Sequence, residues 1–155
     1  MAVSAVDAEA LRRHLVEAWG DETVAAHGEL LRPQDHPGFV ALAEGGIVGH
    51  AAYRLEADAC YLVAIDSRLP RIGIGSALLA AVEEAARQAG CERLVLDTTN
   101  DNVEALRFYR RRGYGIVDVR PGAVDEARRT LKPTIPEVGA SGVPMRDELT
   151  LEKRL

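Results

Sequence analysis

Cysteine and aromatic residues are scarce in this chain, and long apolar runs are absent. Its 155 residues include two cysteines, Cys60 and Cys91, and neither has a histidine or cysteine at metal-ligand spacing. A disulfide framework and a zinc site are both disfavoured, and a reducing compartment fits best. No stretch approaches the roughly 18 consecutive apolar residues of a membrane-spanning helix, and the start MAVSAVDAEALRRH lacks the apolar core of a signal peptide. We expect a cytoplasmic protein that needs no metal and does not bind membranes.

Excess positive charge is also lacking. The 19 lysines and arginines are outnumbered by 24 aspartates and glutamates, which gives a formal net charge of −5 and an isoelectric point near 5.4. Non-specific nucleic-acid binding needs the opposite balance, so we expect no nucleic-acid partner. The composition, 47% hydrophobic and 28% charged, is that of an ordinary globular protein. A chain of this length fits one domain.

Helical and extended patterns alternate along the chain. Residues 8–19 carry apolar side chains at helical spacing, and Asp7 is placed to cap that helix. The stretch GFVALAEGGIVGHAAYRL predicts two strands joined by a turn at residues 44–46. Further strands are predicted at residues 60–65, 93–99, 114–120 and 146–155, and further helices at residues 76–88 and 102–113. This order predicts an α/β protein with a mixed sheet and helices on both faces.

Two glycines stand directly before the second helical pattern, in the stretch RIGIGS at residues 71–76. One interpretation is a plain turn. The other is a nest of backbone N–H groups at a helix N-terminus, where the helix dipole also favours a phosphate. A dinucleotide site is disfavoured, because Leu78 replaces the third glycine of Gly-x-Gly-x-x-Gly and a hairpin precedes this unit. These residues alone do not decide between a plain turn and an anion-binding nest.

A second pattern lies one strand later, in TTNDNVEALRFYRRRGYGIV. On a helix that starts near Asn102, this spacing places Asn102, Ala105 and Tyr109 on one face. Taken by itself, the pattern is explained by Asn102 as an N-cap and by Ala105 and Tyr109 as core residues.

Together the two stretches resemble the GNAT superfamily of N-acetyltransferases. The family's glycine signature, roughly Arg/Gln-x-x-Gly-x-Gly/Ala after the central strand, is similar to PRIGIG here. Its later signature, Asn-x-x-Ala-x-x-x-Tyr-x-x-x-Gly-Phe/Tyr, is matched from Asn102 to Tyr114. One departure is Pro70, which stands where the family usually has Arg or Gln, with Arg71 one place later. The resemblance, which covers residues 38–120, implies one acetyltransferase domain over residues 1–155, with a mostly antiparallel sheet, flanking helices and splayed central strands.

The resemblance implies acetyl-CoA as co-substrate and acetylation of a primary amine by direct attack. The pyrophosphate would bind the backbone of the glycine loop, and the pantetheine arm would pair with the strand at residues 60–65. Tyr109 would be the general acid that protonates the leaving thiolate. The cofactor-binding residues implied are Val63, Ile65, Arg71, Ile72, Gly73, Ile74, Gly75, Ser76 and Asn102. For Asn102 two roles stay open, contacting the pantetheine arm or ordering the start of its helix.

No motif identifies the general base. Asp66 and Asp97 lie near the ends of two predicted strands, where either could take a proton or cap a helix or turn. His14, His27 and His36 show no partner spacing, and we interpret them as surface or core residues.

Residues 120–147 form a connection longer than the family usually has between its last two strands. Loops of this length are commonly functional or disordered. Our hypothesis is that the segment covers the acceptor site, with Arg128, Arg129 and Lys132 contacting an acidic group. The alternative is that the segment is a solvent-exposed surface loop with no role in the site.

The acceptor stays open between a small-molecule amine and the amine of a peptide or protein. A homodimer is a further open possibility, because family members often pair. Two other classes also remain: a catalytically silent acyl-CoA-binding or sensing domain, and a nicotinamide or flavin oxidoreductase.

Overall fold

The computed structural model describes residues 7–19, 23–69 and 72–155. The α-helices are α1 (Ala8–Trp19), α2 (Ile74–Gln88), α3 (Val103–Arg111) and α4 (Ala123–Thr130). The strands are β1 (Val24–Ala26), β2 (Glu29–Leu31), β3 (Gly38–Ala43), β4 (Gly46–Glu56), β5 (Ala59–Ser67), β6 (Arg93–Thr99), β7 (Gly115–Arg120) and β8 (Glu148–Arg154). Among the described residues, none of these helices has the length and apolar character needed to cross a membrane.

The main sheet has six strands in the order β3-β4-β5-β6-β8-β7. Antiparallel pairs dominate it: β3 with β4, β4 with β5, and β7 with β8. The predicted fold class, a mixed and mostly antiparallel sheet flanked by helices, is confirmed. The predicted hairpin is confirmed as well, since β3 ends at Ala43 and β4 begins at Gly46.

The chain divides into two compact units. The first contains the chain up to Val24, Leu31–Leu94 and Leu155; the second contains Ala25–Leu30 and Val95–Arg154. The first unit therefore holds α1, α2 and strands β3 to β5, and the second holds α3, α4, β7 and β8.

Helix α1 closes one side of the first unit's core. Asp7 caps it as predicted, because the Asp7 Oδ2 atom accepts a hydrogen bond from the Ala10 amide at 3.0 Å. Leu11 and Leu15 are buried one helical turn apart and pack with Val40 and Ile47. Removing a side chain such as Leu15 fully from water contributes about 2 kcal/mol.

A short hairpin, β1 and β2, precedes the main sheet and was not predicted. Its turn consists of His27 and Gly28, with φ angles of 51° and 70°. Two successive residues of positive φ are typical of a tight two-residue hairpin turn. The strands have three residues each, too few to show an alternating apolar pattern in the sequence.

Candidate active site

The glycine stretch forms the start of α2, as one of its two interpretations required. Gly73 is the N-cap, with a left-handed backbone (φ 86°), and α2 has no side-chain cap among the described residues. The first turn carries no acidic residue. Ile74, Gly75 and Ser76 form that turn, Ile72 is exposed just before it, and Arg71 and Pro70 lie outside the described residues. A helix N-terminus with neither of these features keeps the positive end of its dipole, which favours an anion.

A glycine on β4 sets how closely α2 approaches the sheet. A Cβ atom at Gly49 would lie 2.8 Å from Ile74 Cγ2 and 3.0 Å from Leu78 Cδ1. The first distance is shorter than real Cβ contacts and the second is unusually tight, so a larger residue at position 49 would require Ile74, in the first turn of α2, to shift. Gly49 therefore positions the backbone that the glycine loop presents.

The strand before the loop contains an irregularity at a residue predicted to contact the cofactor. In the pairing of β4 with β5, Ala52 lies opposite Ala64 and Tyr53 opposite Leu62, which leaves Val63 without a counterpart on β4. An extra residue of this kind is a β-bulge, which bends the strand and re-aims its backbone groups. Ile65, two residues later, is in regular register opposite Ala51.

An apolar groove of about 330 Å³ lies beside the glycine loop in the first unit. It runs between β3 and α2, and its lining includes Phe39, Ala41, Ile72, Gly73 and Ala77. Apolar surface thus reaches the helix N-terminus on this side.

The second motif forms α3 in the second unit. Asn102 is the N-cap, and its Oδ1 atom accepts a hydrogen bond from the Ala105 amide at 3.1 Å. Of the two roles left open for Asn102, ordering the start of the helix is the one the structure shows. Tyr109 lies seven residues, or about two helical turns, after Asn102. It is only 6% exposed, with its ring edge-on to Tyr114 at 5.7 Å. Burial raises the pKa of Tyr109, so its hydroxyl keeps its proton at neutral pH.

Two histidines that we interpreted as surface or core residues pair with the two aspartates. In the first unit, His14 Nε2 bonds Asp66 Oδ1, and the buried His50 lies opposite Asp66 in the β4–β5 register. Among the described residues, neither ring nitrogen of His50 has a hydrogen-bond partner. Burial lowers the pKa of His50 to about 4, partly opposed by the Asp66 charge.

In the second unit, His27 Nε2 lies 2.6 Å from Asp97 Oδ2. The other oxygen of Asp97 accepts hydrogen bonds from Arg120 Nη2 at 3.0 Å and Thr150 Oγ1 at 2.5 Å. Arg120 also pairs with Glu148. Asp66 and Asp97 are therefore both partners of histidines. Spacing could not reveal these pairs, because 52 residues separate His14 from Asp66 and the fold alone brings them together.

The long segment before β8 is folded against its own unit. The guanidinium of Arg128 bonds the carbonyl oxygens of Ile135, Pro136 and Met145 at 2.9, 2.6 and 3.0 Å. Asn100 Oδ1 accepts hydrogen bonds from the amides of Arg146 and Asp147, both at 3.0 Å. We call residues 131–147 the strap. Arg128 holds the strap together, which differs from its hypothesised contact with an acidic substrate group; Arg129 is exposed beside it.

The predicted site residues fall in both units. The first contains Val63, Ile65, Ile72, Gly73, Ile74, Gly75 and Ser76, and the second contains Asn102 and Tyr109. Cys60 is not a candidate nucleophile. Burial raises the pKa of its thiol to about 12 and keeps it protonated.

The chain is similar to known proteins in both sequence and fold. Residues 6–114 match the model of the acetyltransferase (GNAT) family. The chain is 44% identical over 136 residues to the uncharacterised protein YdhI of Bacillus subtilis (strain 168), covering 87% of this chain and 84% of that relative.

Two solved structures share the fold. One is an IAA acetyltransferase from Bacillus cereus ATCC 14579, at 19% identity and a TM-score of 0.74, with 100% of this chain and 96% of that chain covered. The other is a GNAT family acetyltransferase from Elizabethkingia anophelis with acetyl-CoA bound, at 20% identity and a TM-score of 0.67, with 77% and 76% covered.

Proposed function

Because this chain belongs to the acetyltransferase (GNAT) family, we propose that it acetylates a primary amine with acetyl-CoA as co-substrate. Acetyl-CoA supplies an activated acetyl group whose leaving group is a thiolate. The chain's own residues bind that molecule, orient it, and manage the protons that are exchanged. The acceptor class is a small-molecule amine or an amine of a peptide or protein.

The N-terminus of α2 is the observation that carries this proposal. The cap residue Gly73 has no side chain to occupy the site, and among the described residues nothing lies within 4 Å of where its Cβ would be. A pyrophosphate there accepts hydrogen bonds from the amides of residues 73–76 and faces the positive end of a 15-residue helix. By contrast, α3 has Asn102 as a side-chain cap and α4 has Asp125 and Glu126 in its first turn.

The bulge at Val63 supports a binding site for the pantetheine arm along β5. That arm carries amides and binds as an added strand against exposed backbone. The bulge bends β5 at Val63 and re-aims the backbone groups there, so we assign the Val63 backbone as a contact of the arm, with Ile65 next along the same strand. A backbone N–H next to the thioester carbonyl also stabilises the negative charge that develops on its oxygen.

Tyr109 is proposed as the general acid. Its raised pKa keeps the phenol protonated, which is the form that gives a proton to sulfur as the carbon–sulfur bond breaks. Positioned acid catalysis contributes about 10²- to 10⁴-fold in rate. Asn102 serves by starting the helix that carries Tyr109.

Calorimetric titration with acetyl-CoA tests the binding half of the proposal, with NADH as the control ligand. We expect a dissociation constant on the order of micromolar for acetyl-CoA and no heat from NADH. Gly73→Ala should weaken binding by about 10- to 100-fold, since disturbing a charge-assisted hydrogen bond costs about 1.5–3 kcal/mol. Gly122→Ala is the matched control, because Gly122 caps α4 with a left-handed backbone (φ 75°) and an equally open Cβ position.

Release of free thiol in the presence of amines tests the catalytic half. Turnover with any of spermidine, L-lysine or a peptide with a free N-terminus supports the transferase. Acetyl-CoA binding without turnover on a broad amine panel would instead indicate a silent acyl-CoA-binding domain. Binding of NADH in place of acetyl-CoA would point to an oxidoreductase.

A further inference from the structure

Helix α1 is tied by two polar contacts to the segment that leads from β5 towards the glycine loop. The imidazole of His14 bonds the Asp66 carboxylate, and the Glu17 carboxylate pairs with the Arg68 guanidinium. His14 and Glu17 are three residues apart, so they lie on the same face of the helix. The two contacts therefore hold residues 66–68 from one side.

The first contact is buried and the second is exposed. The side chain of His14 is 2% exposed and that of Asp66 is 12% exposed, whereas those of Glu17 and Arg68 are 61% and 42% exposed. Water screens an exposed ion pair, which contributes little. A buried hydrogen bond is costly to lose, because its partners are left unsatisfied. We therefore expect His14 to supply most of the restraint and Glu17 a smaller part.

The orientation of the Asp66 carboxylate depends on His14. Among the described residues, Asp66 Oδ1 bonds His14, and Asp66 Oδ2 has no hydrogen-bond partner. His50 lies opposite Asp66 in the β4–β5 register, and neither of its ring nitrogens has a partner within the described part of the chain. Side chains directly opposite on neighbouring strands are close enough to interact. Without His14, the carboxylate can therefore turn towards His50.

The Asp66 backbone and the first turn of α2 meet at one glycine of β4. A Cβ atom at Gly49 would lie 3.1 Å from the Asp66 carbonyl oxygen and 2.8 Å from Ile74 Cγ2. The segment after β5 is also held to β4, because the Arg68 amide donates to the Val48 carbonyl oxygen at 2.8 Å. Closely packed interiors transmit small displacements. A shift at Asp66 should therefore reach Ile74 and the N-terminus of α2.

Stability alone is a simpler explanation of the buried contact, because the contact also holds α1 on its core. Leu11 and Leu15, however, already pack α1 against Val40. The two polar contacts both end on residues 66–68, between Ile65 and the glycine loop, and all of these residues belong to the first unit. Stability alone does not require this placement.

We propose that His14 and Glu17 are positioning residues for the glycine loop. By fixing Asp66 and Arg68, they set the position of the α2 N-terminus and, through it, the affinity for the pyrophosphate of acetyl-CoA. This inference rests on the proposed function. No bond is made or broken at these residues, and their effect is confined to where the α2 amides lie.

His14→Leu and His14→Gln form a matched pair that tests the proposal. Leucine fills a similar volume but has no polar atom. The glutamine amide offers both an N–H and a carbonyl oxygen, so it can keep the bond to Asp66 whichever partner donates. Calorimetry should show an affinity for acetyl-CoA that is about ten-fold weaker in His14→Leu and close to wild type in His14→Gln.

Two further readouts separate positioning from stability. S-acetyl-pantetheine keeps the thioester but lacks the pyrophosphate, so its kcat/KM in the thiol-release assay should be the same in His14→Leu and wild type. Hydrogen exchange without ligand should accelerate at residues 77–79, where the Ala77 amide donates to the Gly73 carbonyl oxygen at 3.0 Å. Exchange at residues 84–88, at the other end of α2, should not change. A merely structural role would accelerate exchange at both ends by the same factor.

Glu17→Ala tests the exposed contact and should weaken acetyl-CoA binding about two-fold. Glu9→Ala is the matched control, because Glu9 forms an ion pair of similar exposure with Arg12, 2.7 Å away and within α1 itself. It should leave the affinity unchanged. Equal effects of the two variants would assign the change to the charge of the helix and remove Glu17 from the proposal.

Three other results would overturn the proposal. Wild-type affinity and exchange in His14→Leu mean that the contact does not position α2, and the transferase function then stands. An equal loss of affinity in His14→Leu and His14→Gln means that the bond to Asp66 is not the cause. Failure of the wild-type protein to bind acetyl-CoA removes the proposed function and, with it, the role of these residues at a pyrophosphate site.

Discussion

The imidazole of His14 on α1 bonds the carboxylate of Asp66 at the end of β5, and both side chains are largely withdrawn from water. Their neighbour His50, which is fully buried, faces the same carboxylate from β4. The His14–Asp66 contact joins α1 to the strand that leads into the glycine loop. His50, whose pKa is lowered by burial, lies beside this contact in the first unit.

Stability should therefore fall in mild acid because of His50. Its pKa is about 4 in the folded protein, against an ordinary value of 6.5, so the unfolded chain takes up the proton first as the pH decreases. The stabilisation is fully present above pH 6.5 and is lost progressively towards pH 4, by about 3 kcal/mol in total. Urea unfolding at a series of pH values measures this loss.

Replacing His50 should flatten that pH dependence. His50→Leu removes the titrating group at similar volume, and we expect the slope of unfolding free energy between pH 6.5 and pH 4 to decrease. His36→Gln, at a partly exposed site, should keep the wild-type slope. An unchanged slope in His50→Leu would show that His50 is not the group that causes the acid sensitivity.

Tyr109→Phe should reduce kcat about 10²-fold or more and leave acetyl-CoA affinity unchanged. The hydroxyl is lost while the ring that packs against Tyr114 is kept. Tyr114→Phe is the control, since the family motif accepts phenylalanine at that position. Steady-state kinetics and calorimetry on the three proteins separate a loss of chemistry from a loss of binding. Equal activity of Tyr109→Phe and wild type would remove Tyr109 from the mechanism.

Gly49→Ala should destabilise the protein by about 1–3 kcal/mol through overpacking. The added methyl group would meet Ile74 Cγ2 at 2.8 Å and the Asp66 carbonyl oxygen at 3.1 Å. Displacement of the first turn of α2 should weaken acetyl-CoA binding as well. Gly115→Ala is the matched strand control, because among the described residues nothing lies within 4 Å of its Cβ position. Thermal unfolding and calorimetry provide both measurements.

Arg128→Met should loosen the strap without unfolding the protein. The guanidinium bonds three carbonyl oxygens of the strap and the Asp125 carboxylate, and losing such charged hydrogen bonds costs about 2 kcal/mol. Hydrogen exchange of residues 131–147 should accelerate strongly, while the neighbouring Arg129→Met leaves it unchanged. Slow exchange in Arg128→Met would show that the other contacts of the strap, such as those of Asn100 and Ser141, are enough to hold it in place.

Local pattern predicted most of the regular elements, because each depends on neighbours in the sequence. The β3–β4 hairpin follows from alternation and a glycine turn, and α2 and α3 follow from apolar side chains at helical spacing. The structure shows Asp7 and Asn102 as N-caps, as their positions indicated. The resemblance to the GNAT family also depended on short local motifs, the glycine stretch and the Asn102–Tyr114 pattern.

Pairings between distant residues could not be predicted in this way. The fold brings the turn residue His27 to Asp97 on β6, and the β7–β8 register places Arg120 opposite Glu148. No spacing in the sequence encodes either pair. The β1–β2 hairpin was missed because its His-Gly turn is an uncommon pair. The role of Arg128 could not be predicted because its partners are mainly backbone carbonyl oxygens. Every residue has such an oxygen, so the sequence does not mark these partners.

The strap contains one position, outside the core, at which a side chain has no room. A Cβ atom at Gly139 would lie 1.9 Å from Asp101 Oδ2, and Asp101 is itself held by Thr99 Oγ1 at 2.5 Å. Connecting segments usually vary freely among related proteins and accept insertions in engineered libraries. In a saturation library of this chain, residue 139 should instead retain glycine almost exclusively, and loop grafts meant to alter acceptor choice should leave it in place.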